Sequence, residues 1–272
     1  MWWYTDARSI SNKTTAVNET IVDRRLDVLA VTETWHHSSD DICLRLAAPD
    51  GYSTVETVRV RDLGHGGIAV FYCKRFTCTR VKLPTLTTFE SICVQLSADD
   101  ESFTVLTIYR PGSVRTSNLF YDELSTVLEL LVLQSGSVVI GGDFNIHVEL
   151  AADADAPHRA SVFDAFDLRQ HIASPTHCLG GILDLIATFI HCQVEDVAVD
   201  PADVISDHSL VTCSLPTRRR PAPAPQRTIR CWHTIDRQAF TQAVRESILG
   251  SPPPSSWTAD KLFTEYDRVL RD

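Results

Sequence analysis

Short apolar segments recur along most of the chain with two different spacings. Segments at residues 54–60, 67–73, 91–96 and 103–108 are rich in β-branched and aromatic residues, which is typical of strands. Residues 118–133 instead place Leu119, Leu124 and Leu128 at helical spacing, which predicts an amphipathic helix. This mixture predicts an α/β fold in which two sheets pack face to face with helices outside.

The pattern changes near the end of the chain. Residues 218–225 are basic and proline-rich, which is typical of a linker, and two amphipathic segments follow them. Segments of this size are too small to bury a core of their own. We therefore predict a folded domain over residues 1–216 and a linker with a helical connector over residues 217–272.

Charge is distributed unevenly between these two regions. Residues 1–217 carry 29 acidic against 15 basic side chains, whereas residues 218–272 carry 6 against 10. An acidic body repels nucleic acid through its average field. A DNA-acting protein of this composition therefore needs a local basic face or bound cations.

Cysteine usage and the length of the apolar runs indicate the cellular compartment in which the protein works. The eight cysteines include no Cys-x-x-Cys pair, and His177-Cys178 lacks the spacing of a zinc site. The first residues lack the apolar run of a secretory signal, and no run approaches membrane-spanning length. We therefore expect an intracellular protein of the nucleus or cytoplasm that is not secreted and has no membrane partner.

Four short strings place acidic and polar residues beside strand-like runs. They are Val31-Thr32-Glu33-Thr34-Trp35, Gly142-Asp143-Phe144-Asn145, Leu183-Asp184-Leu185-Ile186 and Ser206-Asp207-His208. The ends of strands can meet at one edge of a packed sheet. Carboxylates, an amide and an imidazole gathered there can bind a hard cation and a phosphate, so the set indicates metal-dependent phosphate-ester chemistry.

Each of these residue types suits one part of that chemistry. Glu33 ends an apolar strand, where a carboxylate can hold Mg²⁺ or Mn²⁺. Asp143 can orient or deprotonate a water, while the amide of Asn145 donates to a phosphate oxygen. His208 can stabilise charge on a transferring phosphoryl group, provided that a carboxylate such as Asp184 fixes its tautomer.

Structural interpretations of the same residues stay open at this point. Glu33 can be a solvated acid at a strand end, and the segment from Gly142 to Asn145 can be an Asx-type turn. Tyr109 can donate to phosphate or pack at the edge of the core. For Thr176, whose hydroxyl can line a cleft, a structural role is the simpler interpretation.

The strings resemble the endonuclease/exonuclease/phosphatase superfamily, which includes DNase I, and more narrowly the endonuclease domain of non-LTR retrotransposons. The resemblance covers about residues 4–215, with the strings in the family's order. Three further segments contribute to it, namely Ala7-Arg8-Ser9-Ile10, Tyr109-Arg110-Pro111 and Pro175-Thr176-His177.

The resemblance implies a four-layer α/β sandwich of the DNase I type, with two packed mixed sheets flanked by helices. It implies a Mg²⁺-dependent nick that leaves a 3′-hydroxyl and a 5′-phosphate. In such elements this hydroxyl primes reverse transcription, so the expected partners are DNA, the element RNA and a downstream reverse transcriptase domain. It implies metal-site residues Glu33, Asp6 and Asp207, catalytic residues Asp143, His208, Asp184, Asn145 and Tyr109, and substrate contacts from Asn145, Tyr109 and Thr176.

One residue departs from the family's pattern. The family usually has Asn where Asp6 stands, and an amide there binds phosphate. A further carboxylate beside Glu33 and Asp143 can strengthen cation binding, repel the phosphodiester or raise the pKa of a neighbouring acid.

Three functions therefore compete. The leading one is a metal-dependent DNA endonuclease of a retrotransposon. The second is a phosphatase or lipid phosphodiesterase of the same superfamily. The third is a decayed copy of such an element that folds and binds nucleic acid or a protein without catalysis.

Overall fold

The computed structural model describes residues 1–59, 65–99, 101–150, 155–202, 204–216 and 236–271. The chain falls into two compact units, Met1–Arg218 and Arg219–Asp272. The assignment of the second unit as a connector stays a prediction.

Strands and helices alternate through the first unit. Its described strands are β1 (Trp2–Asp6), β2 (Val28–Thr32), β3 (Tyr52–Thr57), β4 (Ile68–Cys73), β5 (Thr77–Arg80), β6 (Glu90–Ala98), β7 (Glu101–Tyr109), β8 (Ser137–Asp143), β9 (Leu168–Gln170), β10 (Asp184–Phe189), β11 (Glu195–Val199) and β12 (Val211–Ser214). Its described helices are α1 (Thr14–Asp23), α2 (Ile42–Ala47), α3 (Asn118–Val132) and α4 (Asp155–Ala165).

The described strands form two six-stranded mixed sheets. Their orders are β11-β12-β1-β2-β4-β3 and β5-β6-β7-β8-β10-β9. Strand β1 is parallel to β2 and antiparallel to β12, and β7 is parallel to β8. The two sheets share one apolar core, and helices α1 and α2 cover the outer face of the first sheet. The structure confirms the predicted sandwich of two packed mixed sheets flanked by helices.

Strand β1 divides its side chains between two cores. Trp2 and Tyr4 pack between the sheets, whereas Trp3 packs on the helical side. Because side chains alternate across a strand, Asp6 follows Trp2 and Tyr4 onto the inter-sheet face. It is 1% exposed there, so β1 ends in a buried carboxylate.

Helix α3 buries most of the face that the spacing of its leucines predicts. Ser117 caps it by accepting a hydrogen bond from the backbone N–H of Phe120. Phe120, Tyr121 and Leu124 are buried, but Leu119 is 52% exposed. Leu124 and Leu128 are buried as the spacing predicts, and the prediction is wrong for Leu119 alone among these three leucines.

Two glycines let β8 approach its neighbours closely. A Cβ on Gly141 would collide with the indole of Trp2 from the other sheet. Gly142 has a φ of +146°, and a Cβ there would collide with the carbonyl of Ile108. Only glycine avoids both collisions, and the close packing fixes the position of Asp143, the next residue.

Strand register brings the chemical residues together. Across the second sheet, Tyr109 on β7 is paired with Asp143 on β8, and Asp143 is paired with Asp184 on β10. In the first sheet, Asp6 is paired with Thr32, the residue before Glu33. Strand β1 packs against β8 across the interface between the sheets. The central strands of both sheets therefore end at one place.

The second unit contains helices α5 (Arg237–Glu246) and α6 (Ala259–Arg271) among its described residues. Asp236 caps α5 by accepting from the N–H groups of Gln238 and Ala239. In the part of the chain that the structure describes, every helix is too short or too polar to cross a bilayer.

Candidate active site

An open cleft of about 480 Å³ lies where the central strands end. It brings together six of the predicted site residues, namely Asp6, Glu33, Tyr109, Asp143, Asn145 and His208. These residues come from both sheets and from segments of the chain far apart in sequence. The convergence on which the predicted chemistry depends is therefore present.

Asp6 lies in a network of hydrogen bonds at the end of β1. Its side chain accepts from the hydroxyl of Thr32 at 2.8 Å and from the backbone N–H of Arg8 at 3.0 Å. Its carbonyl accepts from the hydroxyl of Ser206 at 2.6 Å, and that hydroxyl accepts from the backbone N–H of His208 at 3.0 Å. Ser206 thus joins β1 to the loop that holds His208.

Glu33 and Tyr109 contact each other across the cleft. The phenol of Tyr109 donates a hydrogen bond to the carboxylate of Glu33. Burial and this hydrogen bond raise the pKa of the Tyr109 phenol. Tyr109 therefore stays protonated and has one hydroxyl proton to donate.

Asp143 and Asn145 form the Asx turn that the sequence allowed, and they face the cleft as well. Asp143 accepts from the backbone N–H of Asn145 at 2.8 Å and from its side-chain amide at 2.6 Å. The same amide also donates to the carbonyl of Arg110 at 2.8 Å. Both amide hydrogens of Asn145 are thus used within the protein, and a phosphate contact requires one of them to be released.

His208 is held by a buried carboxylate. Its Nδ1 lies 2.8 Å from Oδ2 of Asp184, whose side chain is 0% exposed. The contact expected between these two residues is present, and their catalytic roles stay predictions. Burial disfavours the charged imidazole, but Asp184, Asp6 and Asp143 outweigh it and raise the pKa of His208 to about 10.

The remaining carboxylates of the cleft repel one another. Burial, opposed by His208 and reinforced by Glu33, raises the pKa of Asp6 to about 7. Burial and the neighbouring Asp184 raise the pKa of Asp143 well above its ordinary value. Like charges gathered in a buried site favour protonation unless a cation compensates them.

The donor set fits a hard divalent cation. One ligand atom from each of Asp143, Asp184 and His208 lies within 4.8 Å of the other two, and the two carboxylates are the donors of this group because His208 is charged. Oδ1 of Asp184 is buried and has no hydrogen-bond partner among the described residues. The negative charge on such a buried oxygen has no donor to offset it, and a bound cation can provide that missing partner.

Two predicted residues have different surroundings from those expected. Thr176 is fully buried, and its hydroxyl accepts from the backbone N–H groups of Leu183 and Asp184, each at 3.0 Å. The geometry favours a structural role for Thr176 over the predicted substrate contact, because the hydroxyl fixes the start of β10. Asp207 was predicted beside the metal, but one of its oxygens binds the guanidinium of Arg8 and lies 3.4 Å from Nε2 of His177.

Sequence reasoning missed several side chains that face or brace the cleft, namely Arg59 and His65, which line it, and three others. Arg8 and His177 line it, and buried Arg110 donates to the carbonyls of Phe144 and Asn145. All three stood inside the strings that carried the family resemblance. Their neighbours in sequence were chosen instead, because only the tertiary contacts reveal what these side chains bind.

Three residues of the cleft have an unusual backbone. Arg8, Glu33 and Asn145 have φ values of 44°, 48° and 50°. The left-handed region is uncommon for residues other than glycine and asparagine, so Arg8 and Glu33 are strained, and such strain clusters at functional sites.

The sequence matches a known family. The model described as the Endonuclease/Exonuclease/phosphatase family matches residues 4–208, so the chain belongs to this family. Its members are hydrolases that act on phosphodiester bonds and typically depend on a divalent metal. No curated protein matches the sequence.

Solved structures show the same fold at low identity. The endonuclease domain of TRAS1, a telomere-specific non-LTR retrotransposon, has a TM-score of 0.61 at 13% identity, over 79% of this chain and 96% of that one. An AP endonuclease from Archaeoglobus fulgidus has a TM-score of 0.63 at 14% identity, over 79% and 99%. The 3′ phosphatase NExo from Neisseria, bound to a product DNA hairpin, has a TM-score of 0.61 at 16% identity, over 79% and 99%. These structures confirm the DNase I-like fold.

Proposed function

We propose that the protein is a DNA endonuclease that hydrolyses one phosphodiester of a duplex and leaves a 3′-hydroxyl and a 5′-phosphate. The observation that supports this is the convergence of Glu33, Asp143 and His208 on one cleft. These are the metal, base and transition-state residues that the sequence predicted. Their roles, together with those of Asp6, Asp184 and Asn145, belong to the proposal.

A divalent cation, Mg²⁺ or Mn²⁺, would be held by carboxylates of this cleft, among them Glu33, Asp6 and Oδ1 of Asp184. Bound there, it would neutralise the acidic site and polarise a phosphate oxygen. The raised pKa values of Asp6 and Asp143 support this assignment, because buried carboxylates without a counter-charge are unstable as anions.

Asp143 orients the attacking water and takes its proton once it is ionised. Asn145 holds that carboxylate in place through two hydrogen bonds. Releasing the amide from Asp143 would turn its N–H toward a phosphate oxygen while the Asx turn remains.

Tyr109 can give its single proton either to Glu33 or to a phosphate oxygen. When substrate binds, the phenol exchanges the first acceptor for the second, and Glu33 is left free as a ligand. This exchange couples substrate binding to the state of Glu33.

His208 stabilises the negative charge that develops on the transferred phosphoryl group. The pKa of about 10 keeps its imidazole charged at neutral pH. Asp184 fixes the ring through Nδ1, which leaves Nε2 to face the substrate.

DNA is the proposed substrate because the resemblance is to endonucleases of non-LTR retrotransposons. The TRAS1 domain and the Neisseria enzyme, whose titles name a retrotransposon and a DNA hairpin, support this choice. On the same basis the nick would prime reverse transcription, and element RNA and a reverse transcriptase would be partners. The basic segment after residue 217 would be the connector to that polymerase.

The test is nicking of supercoiled plasmid by the full chain with Mg²⁺ and with EDTA. We expect open-circular product with Mg²⁺ alone, and loss of at least about 100-fold in rate for Asp143→Ala. Asp200→Ala, which removes a surface carboxylate paired with Arg24, is the matched control and keeps the wild-type rate. Extension of the nick by a DNA polymerase without prior phosphatase treatment shows the 3′-hydroxyl.

Two results would overturn the proposal in different ways. Release of inorganic phosphate from phosphoinositides or from DNA ends, without nicking, would identify a phosphatase. Binding of duplex DNA by a folded protein that never nicks with Mg²⁺ or Mn²⁺ would identify a binding module.

A further inference from the structure

A second group of polar side chains lies on the rim of the cleft, and the proposed reaction does not use it. It consists of Arg8, Asp207 and His177, termed the rim triad. Nη1 of Arg8 binds Oδ2 of Asp207, and Nε2 of His177 lies 3.4 Å from the same oxygen. Arg8 is 56% exposed and lines the cleft, whereas Asp207 is 23% exposed.

The backbone holds Arg8 at this rim. The N–H groups of Ala7 and Ser9 donate to the carbonyls of Thr32 and Glu33 at 2.9 and 2.7 Å. Between them Arg8 has a φ of 44°, in the left-handed region that it shares with Glu33 and Asn145. Strain of this kind persists only where the surroundings impose it, and Glu33, which is strained in the same way, is an active-site candidate of this cleft.

The other two members of the rim triad are fixed to the loop of His208. The N–H of Cys178 donates to the carbonyl of Asp207 at 2.9 Å, and the N–H of Ser209 donates to the carbonyl of Thr176 at 2.7 Å. The rings of His177 and His208 lie edge to face with centroids 4.8 Å apart. A ligand of the rim triad would therefore lie beside the reacting group.

A metal ion is a poor occupant of this group, although His177, Cys178 and Asp207 lie close enough together to suggest one. Nδ1 of His177 already accepts from the backbone N–H of Leu179 at 3.1 Å. The nitrogen on its other side faces Asp207, whose charge is already matched by Arg8. A metal ion bound to His177 would have to replace one of these contacts, whereas an anion that binds Arg8 leaves both in place.

The acidic charge of the domain gives a reason for a phosphate-binding cation at this cleft. Residues 1–217 carry 29 acidic against 15 basic side chains, so a polyanion needs cations placed at the cleft itself. A guanidinium offers five N–H donors in a fork that suits phosphate, and an aspartate partner holds that fork in one orientation. Among the described residues, Asp207 receives a single nitrogen of Arg8, and because Arg8 lines the cleft its other N–H groups remain for a ligand there.

We propose that the rim triad is a phosphate subsite, in which Arg8, positioned by Asp207 and His177, binds the backbone phosphate next to the one that is cleaved. This inference rests on the proposed function, because it assumes a nucleic-acid strand in the cleft. Arg8 is a binding residue, and Asp207 and His177 are positioning residues.

The test compares two arginines in matched ion pairs. Arg8→Ala removes the proposed phosphate contact, and Arg24→Ala removes a surface arginine that is 52% exposed and paired with Asp200 at 2.8 Å. Binding of a fluorescent DNA duplex to the full chain is measured in EDTA over a range of salt concentrations. Plasmid nicking by the same variants gives KM and kcat.

We expect Arg8→Ala to weaken binding by about 3- to 10-fold at low salt and to reduce the slope of log K against log salt by about one. In nicking it raises KM with little change in kcat, because the contact is made equally in the ground state and the transition state. Arg24→Ala leaves both unchanged, and Arg8→Lys keeps the salt slope while losing part of the affinity.

The outcomes separate this subsite from the proposed function. If the wild type nicks and Arg8→Ala matches Arg24→Ala in affinity and salt slope, the subsite alone is overturned. If the wild type neither binds nor nicks duplex DNA, the subsite and the proposed function are both overturned. Circular dichroism of each variant shows whether an effect comes from unfolding.

Discussion

Two carboxylate–cation pairs lie at one cleft, and they differ chiefly in burial. In the floor pair, Asp184 and His208 are 0% and 9% exposed and lie 2.8 Å apart. In the rim pair, Asp207 and Arg8 are 23% and 56% exposed. Both place a carboxylate against a nitrogen donor, so the comparison isolates the effect of the surroundings.

Burial gives the two pairs different properties. In the floor, water is excluded, so the pair fixes the charge and orientation of an imidazole, and breaking it leaves an unpaired polar group. On the rim, water screens the pair, which contributes about 0–1 kcal/mol to stability. The rim pair can therefore exchange partners with a ligand at low cost, whereas the floor pair cannot.

The largest expected effect comes from breaking the floor pair. Asp184→Ala should lower the free energy of unfolding by about 3–5 kcal/mol and nearly abolish nicking, because His208 loses its buried partner. Asp207→Ala, the matched rim variant, should cost less than about 1 kcal/mol. Urea denaturation measures both, and equal costs would show that burial does not distinguish the pairs.

The next largest effect concerns the ionisation of Asp6 in the floor of the cleft when no cation is bound. The folded pKa of Asp6 is about 7, above its ordinary value of 3.8, so folding favours the protonated acid. The stability that Asp6 contributes is full below pH 3.8 and is lost as the pH rises through 7. In EDTA, Asp6→Asn should therefore gain on the order of 2–4 kcal/mol relative to the wild type between pH 4 and pH 8. Denaturation curves at both pH values test this, and a constant difference would contradict it.

The substitution Asp6→Asn should also change the rate of plasmid nicking. Asp6→Asn should nick plasmid several-fold faster than the wild type in Mg²⁺, because it removes a negative charge that repels the phosphodiester. The carboxylate accepts from Thr32 and from the N–H of Arg8, and an asparagine oxygen can retain one of these bonds. Initial rates of supercoiled-plasmid nicking measure the change, and an equal or lower rate would refute it.

The smallest effect distinguishes two roles for Asp207. As a positioning residue for Arg8, Asp207→Asn should raise KM a few-fold and leave the Mg²⁺ concentration for half-maximal nicking unchanged. As a metal ligand, which the sequence predicted, it should raise that concentration at least about 10-fold. A Mg²⁺ titration of nicking by the wild type and the variant decides between them.

Much of the fold and site was readable from local signals. Strand ends at Glu33, Asp143 and Asp184 stand out because an acidic residue interrupts or ends an apolar run of β-branched residues. The short elements α2, β5 and β9 were missed; β5 and β9 are only four and three residues long and lack the apolar run that marks the other strands. Thr176 was assigned to substrate although its hydroxyl binds two backbone N–H groups, a contact that spacing in the chain does not reveal.

The sequence by itself determined which chemical groups this protein has, in which order they occur and to which family the chain belongs. Only the tertiary structure decided which carboxylate meets which cation. Arg8 and Asp207 are 199 positions apart, and Asp184 begins β10 of one sheet whereas His208 lies in the loop before β12 of the other. Their partners and burial depend on register and packing between distant strands, and those long-range contacts leave no mark on the local pattern of residues.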